Sequence, residues 1–201
     1  MSELFKQTWW DKNLGNKRIF SEYLNWLGNE TSNSREFIRD NIKELEIKSI
    51  ADFGCGPALE YKALKSEGYD FEYIGIDSCV HIEDLSKEND IPFINVPVEE
   101  TGLDDNSYEL SYSRHVLEHL PTYKDALNEM IRVARKYVVH IFFIKPTDSE
   151  KIVYDDPNNL YHNRYVKEEI EDFINLNQKV ESFEWVDIDE KEVALTLKIK
   201  E

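Results

Sequence analysis

The chain has 201 residues, enough for one sizeable hydrophobic core and short for two. Its 24 Lys and Arg stand against 41 Asp and Glu, a formal net charge of -17 that repels a phosphate backbone or an anionic membrane surface. The balance therefore speaks against nucleic acid and membrane as partners and leaves the oligomeric state open.

The cysteines are Cys55 and Cys79 alone, no apolar leader opens the sequence, and no run is long enough to span a bilayer. The expectation is a soluble, cytoplasmic protein with both thiols reduced. In chain order, Ile19, Tyr23, Leu24, Trp26 and Leu27 recur at helical spacing, and Phe37, Ile38, Ile42 and Leu45 do so again after Ser34. Residues 1–48 are read as an N-terminal helical cap.

From Ser49 the period changes. Short apolar runs, Ile50 to Phe53, Phe71 to Ile76, Ile91 to Val96, Tyr108 to Ser113 and Tyr137 to Ile144, alternate with helical stretches. That alternation predicts a doubly wound α/β fold with a mostly parallel sheet, and residues 49–144 as its ligand-binding core. The segment Lys145 to Arg164 is long and irregular, which in a compact domain marks a lid or binding loop, and with the helix "VKEEIEDFI" it makes one region over 145–179. The end of the chain, 180–201, reads as a strand pair. "EVALTLKI" alternates as a half-exposed antiparallel edge paired with "VESFEWVDI". The whole is one domain, 1–201.

Ligands of open α/β sheets bind beyond the carboxyl ends of the strands, where strand order reverses. There "DFGCGPA" places Gly54 and Gly56, which let backbone approach a ligand without a Cβ, and Pro57 suits the first turn of the next helix. Asp77, ending the second strand, has the chemistry to accept hydrogen bonds from two ribose hydroxyls. A dinucleotide fingerprint would place glycine at position 59, where this chain has Leu59.

"DFGCGPA" resembles the first motif of the class I S-adenosylmethionine-dependent methyltransferases, an acid followed by G-x-G-x-G, with Ala58 in place of the last glycine. The stretch from "LDDNSYELSYSRHVLEHL" to "YVVHIFF" resembles the family's fourth-to-fifth strand segment. The resemblance implies a seven-stranded sheet and S-adenosylmethionine as cofactor. It implies Asp52 opposite the cofactor's positive charges, Gly54 and Gly56 by the methionine part, and Asp77 on the ribose. Ser78 and Cys79 would border the adenine, the backbone at Val98 and Glu99 would meet its edge, and Ser113 would sit by the methionyl amino group. Pro97 stands where many relatives carry aspartate.

The implied reaction is methyl transfer to a small or medium-sized acceptor, a hydroxyl of a sugar or another polar metabolite being favoured. His119 is the first candidate for the base and His115 the second. Tyr161, His162 and Arg164, in "LYHNRY", are candidates for acceptor binding, with Trp9, Trp10 and Arg35 for the opposite wall. His115, Glu118 and His119 also spell H-x-x-E-H, which on a helix would place two histidines on one face for zinc, with Glu190 or Glu192 as third ligand. A zinc hydrolase is thus one alternative. A non-catalytic protein of the same fold is the other, motivated by Ala58 and Pro97.

Overall fold

The computed structural model describes residues 15–28, 32–155 and 160–200. Two helices come first, α1 (Lys17–Gly28) and α2 (Asn33–Glu44), followed by β1 (Ser49–Phe53), α3 (Leu59–Ser66), β2 (Glu72–Ile76), α4 (Val80–Glu88) and β3 (Phe93–Ile94). The second half runs through β4 (Tyr108–Arg114), a 3-10 turn at Leu117–His119, α5 (Lys124–Val133) and β5 (Ala134–Phe142). It ends with β6 (Tyr154–Asp155), β7 (Leu160–Tyr161), α6 (Lys167–Leu176), β8 (Val180–Asp187) and β9 (Val193–Ile199). No helix among the described residues is long and apolar enough to cross a membrane.

Seven strands form one sheet in the order β3-β2-β1-β4-β5-β9-β8. All the pairs from β3 to β5 are parallel, whereas β9 runs antiparallel to both β5 and β8. The alternation of "EVALTLKI" suggested an outermost strand. Instead β8 lies outermost, and β9, one place in, has its Val193, Ala194, Leu195, Leu197 and Ile199 buried because both its edges are paired.

Strand β1 is buried along its whole length, since helices cover both of its faces. One face, with Ala51 and Phe53, packs against Leu127, Met130 and Ile131 of α5 and Ile170 and Ile174 of α6. The other, with Ile50, packs with Ile38 and Ile42 of α2 and Leu64 of α3. Strand order reverses between β1 and β4, so the switch point of the sheet lies just beyond Phe53 and Ser113, which are register partners.

The irregular segment after β5 is an arm that doubles back on itself. Tyr154 pairs with Tyr161 and Lys151 with Arg164, and a parallel bridge joins Thr147 to Val166. Asn163, fully buried, fastens it to the body: its amide donates to the Glu118 carbonyl at 2.9 Å and its side chain to the Leu120 carbonyl at 2.8 Å.

Candidate active site

The first βα turn leaves β1 through Gly54 at φ +71, Gly56 at φ +49 and Ala58 at φ +52. These are left-handed conformations that favour glycine, and Ala58 adopts the one where the family pattern has its third glycine. A Cβ on Gly54 would come 2.4 Å from Cγ2 of Val116, so glycine there is also demanded by the close approach of the turn after β4. Gly54 and Cys55 both donate their amides to the carbonyl of Ile76, at 2.7 and 3.1 Å, tying the turn to the end of β2.

Asp77 follows directly. One of its carboxylate oxygens accepts the amide of Gly56 at 3.1 Å and the other the amide of Cys79 at 2.9 Å. A carboxylate oxygen accepts more than one hydrogen bond, so this bridge still suits hydroxyl donors. Ser78 is exposed beside it, and the Asn95 side chain donates to the Asp77 carbonyl at 3.2 Å. Val98 is buried in the core, and burial raises the carboxyl of the neighbouring Glu99. Gly56, Asp77 and Cys79 are thus tied together at the switch-point edge of the sheet.

Two expected contacts fall beneath that edge. Asp52 is buried, accepts a hydrogen bond from the Tyr73 hydroxyl at 2.8 Å, and is pushed up to about 8 by burial, with Glu60 adding to the rise. Burial thus disfavours the charged form that a cationic ligand would meet. Ser113 is fully buried as well, its hydroxyl 2.6 Å from Nδ1 of His140. Its side chain therefore supports the site from below and does not line it.

The segment "RHVLEH" is not the helix that a zinc-peptidase reading requires. His115 takes the left-handed conformation, φ +58, and only Leu117–His119 forms a 3-10 turn. The three motif side chains consequently take three different partners. His115 Nε2 lies 2.5 Å from Oε1 of Glu192, while His119 Nδ1 donates to the Tyr161 carbonyl at 2.7 Å. Glu118, fully buried, accepts the amides of Phe143 at 2.7 Å and Ile144 at 3.4 Å. Its other oxygen is 3.3 Å from His140 Nε2, without hydrogen-bond alignment. Burial raises the Glu118 carboxyl, but the His140 ring beside it and the backbone amides it accepts hold it below the ordinary range, and burial lowers the imidazoles of His140 and His119. Among the described residues, no group of three or more His, Cys, Asp or Glu is placed to hold a metal ion.

The acceptor candidates divide. The Tyr161 backbone and the His162 ring, 5.1 Å from that of His119, bring the arm onto the turn after β4. Arg164 instead gives its guanidinium to the carbonyl and hydroxyl of Ser149, within the arm itself. Trp9 and Trp10 lie outside the described residues, while Arg35 is buried and paired with Glu60.

Tyr23 and Phe143 were missed by the sequence reading as parts of a site, and Glu192 entered it only as a possible zinc ligand. Tyr23 of α1 packs with Phe20 against Cys55, Cys79 and Ile82, and its hydroxyl would lie 3.5 Å from a Cβ on Gly56. Burial, then the nearby Asp77, pushes that hydroxyl well above the usual tyrosine range. Glu192 and Phe143 flank His115, with Phe143 ring centroids 5.0 Å from His115 and 5.2 Å from His119. The apolar periodicity carried Tyr23 only as a core position, no local pattern marked Phe143, and none linked Glu192 to His115 outside the zinc alternative.

A family described as a methyltransferase domain matches residues 51–142. No curated protein matches the chain. Among solved structures, it is similar to a Burkholderia thailandensis 1,6-didemethyltoxoflavin-N1-methyltransferase with bound 1,6-didemethyltoxoflavin and S-adenosylhomocysteine. That match has 13% identity and TM-score 0.64, over 90% of this chain and 84% of that one. A SAM-dependent methyltransferase from Aquifex aeolicus is 17% identical, with TM-score 0.61 over 86% of this chain and 95% of its own. One from Methanosarcina mazei is 15% identical, with TM-score 0.59 over 78% and 94%. At these identities the likeness is one of fold. The family match lies over the sheet core and the glycine turn at its switch point, so residues 51–142 are similar to a methyltransferase domain and the chain shares the fold of these solved structures.

Proposed function

We propose that the protein transfers a methyl group from S-adenosylmethionine to a small polar acceptor, a hydroxyl of a sugar or another hydroxylated metabolite being the preferred class. The observation that carries this reading is the bridge from Gly56 through the Asp77 carboxylate to Cys79, at the point where strand order reverses. When bound, the cofactor supplies an electrophilic methyl carbon on a sulfonium. The residues present fit it: Gly54 and Gly56 for close backbone approach, Asp77 for the ribose, Ser78 and Cys79 for the adenine, and Val98 and Glu99 for its edge.

The chain's own contribution is alignment and exclusion of water. Phe20 and Tyr23 of α1 close the nucleoside side by packing over Cys55 and Cys79. Tyr161 and His162 close the acceptor side, and His119, held by the Tyr161 carbonyl, joins the arm to the turn after β4. An acceptor of low charge suits a chain whose net charge of -17 opposes polyanions.

Titration calorimetry with S-adenosylhomocysteine tests the donor side, with stoichiometric binding expected. Failure of the folded protein to bind S-adenosylhomocysteine or S-adenosylmethionine would sink the reading. Chromatographic detection of S-adenosylhomocysteine formed from S-adenosylmethionine with sugars, polyols and amines tests the acceptor class, and a product with amines alone would overturn the preference for hydroxyls.

A further inference from the structure

His115 is held at φ +58, a left-handed conformation that a residue with a Cβ rarely adopts, and such outliers gather at functional sites. What retains it is a set of bonds on both sides. Its amide donates to the Ile141 carbonyl at 2.9 Å, and its Nε2 meets Glu192 at 2.5 Å. Glu192 in turn is mostly buried, accepts the Ser34 hydroxyl at 2.9 Å, and has the Arg114 guanidinium 3.5 Å away. Against burial, which raises it, the bonds from His115 and Ser34 keep the Glu192 carboxyl below the ordinary range.

An ionised carboxylate can only accept, so Nε2 of His115 carries a proton, and in the neutral ring the lone pair is then on Nδ1. Nδ1 makes no hydrogen bond among the described residues, and the ring lines a cleft of about 330 Å³ with Asn33, Phe143, Lys191 and Glu192. That size matches the lower range of small-molecule sites. Val116, the residue after His115, is the one packed against Gly54, so the cleft's His115 stands one residue from the neighbour of the glycine turn. From Phe143 a row of rings continues through His119 to His162, joining the cleft to the arm.

We propose that this cleft receives the reacting hydroxyl of the acceptor, that Nδ1 of His115 takes its proton, and that Glu192 is the positioning residue that holds the imidazole in the productive tautomer. The inference rests on the methyl-transfer reading above. In the step, the acceptor oxygen forms its bond to the methyl carbon as the carbon–sulfur bond breaks. The electron pair of that bond remains on sulfur, the hydroxyl proton passes to Nδ1, and the imidazolium returns it to solvent. The body of the acceptor lies along Phe143 toward His162.

Two measurements test this. Diethyl pyrocarbonate acylates an unprotonated imidazole nitrogen, and peptide mass spectrometry locates the adduct. At pH 8 His115 should react faster than His119 and His140, and Glu192→Gln, whose amide can donate and so reverse the tautomer, should slow it several-fold at unchanged circular dichroism and melting temperature. Equal His115 rates in the two proteins would overturn the positioning role. With glycerol, myo-inositol and catechol as acceptor probes, His115→Ala should lower turnover on the order of 100-fold, and S-adenosylhomocysteine affinity should hold. Glu192→Gln in the His115→Ala background should then cost nothing further, and Glu192→Asp should restore part of the loss of Glu192→Gln. Independent, additive losses would overturn the pairing. Absence of S-adenosylhomocysteine binding would defeat the donor reading, and the acylation rates would still judge the His115–Glu192 pair.

Discussion

Asp77 accepts the backbone amide of Gly56 at 3.1 Å, so the acid that ends β2 is fastened to the glycine turn that ends β1. The two motifs act as one unit, and the removal of either side chain feature should be felt by the cofactor.

Asp77→Ala should weaken S-adenosylhomocysteine binding by about 1.5–3 kcal/mol, the range for losing hydrogen bonds to a charged group. Asp77→Asn keeps one acceptor oxygen and should lose less. Calorimetry on the folded variants checks both, and wild-type affinity in Asp77→Ala would remove the ribose assignment.

Gly54→Ala adds a Cβ 2.4 Å from Cγ2 of Val116 at φ +71. Overpacking and backbone strain together should cost about 2–4 kcal/mol. The double variant Gly54→Ala with Val116→Ala relieves the steric part, so its loss in melting temperature should be smaller than the sum of the single losses. Strict additivity would show that the two residues do not compete for space.

Asp52 makes stability depend on pH with a definite sign. Its carboxyl is raised by burial, then by Glu60, from 3.8 to about 8, so the folded state holds a proton that the unfolded state has released across that window. This contribution is fully present below pH 3.8, declines as pH rises, and is lost above about 8. Asp52→Asn, whose side-chain oxygen can still accept the Tyr73 hydroxyl, should therefore gain melting temperature relative to wild type as pH goes from 5 to 8. A gain of at least about 1 kcal/mol, roughly 2–4 °C for a chain of this size, is expected. A pH-independent difference between the two proteins would contradict it.

Asn163→Ala should release the arm. The variant loses the side-chain bonds to the Leu120 carbonyl, the Tyr165 hydroxyl and the Val153 amide, at 2.8, 3.1 and 3.0 Å. With buried partners left unsatisfied, the expected cost is about 1–3 kcal/mol. Hydrogen exchange should quicken in the arm and leave β1 and β4 unchanged, and uniform quickening across the sheet would show that the arm is not a separate unit.

The strands of the core, the glycine turn and the acid after β2 were legible because each is written in neighbouring residues. Apolar runs such as Ile50 to Phe53 demand a two-sided sheet, and Gly54 and Gly56 mark the place where a side chain would obstruct. The fate of "RHVLEH" was not legible. Its letters suit a metal-binding helix, yet the backbone of His115 turns left-handed, and the side chains part toward β9, the arm and β5. Glu192 reaches His115 across 77 positions because β9 runs antiparallel beside β5, which returns its first residues to the carboxyl edge of the sheet. Local propensity carries no record of such a meeting. Strand order, together with the partners that a buried polar group must find, decided which histidine received a carboxylate and which was given to the arm.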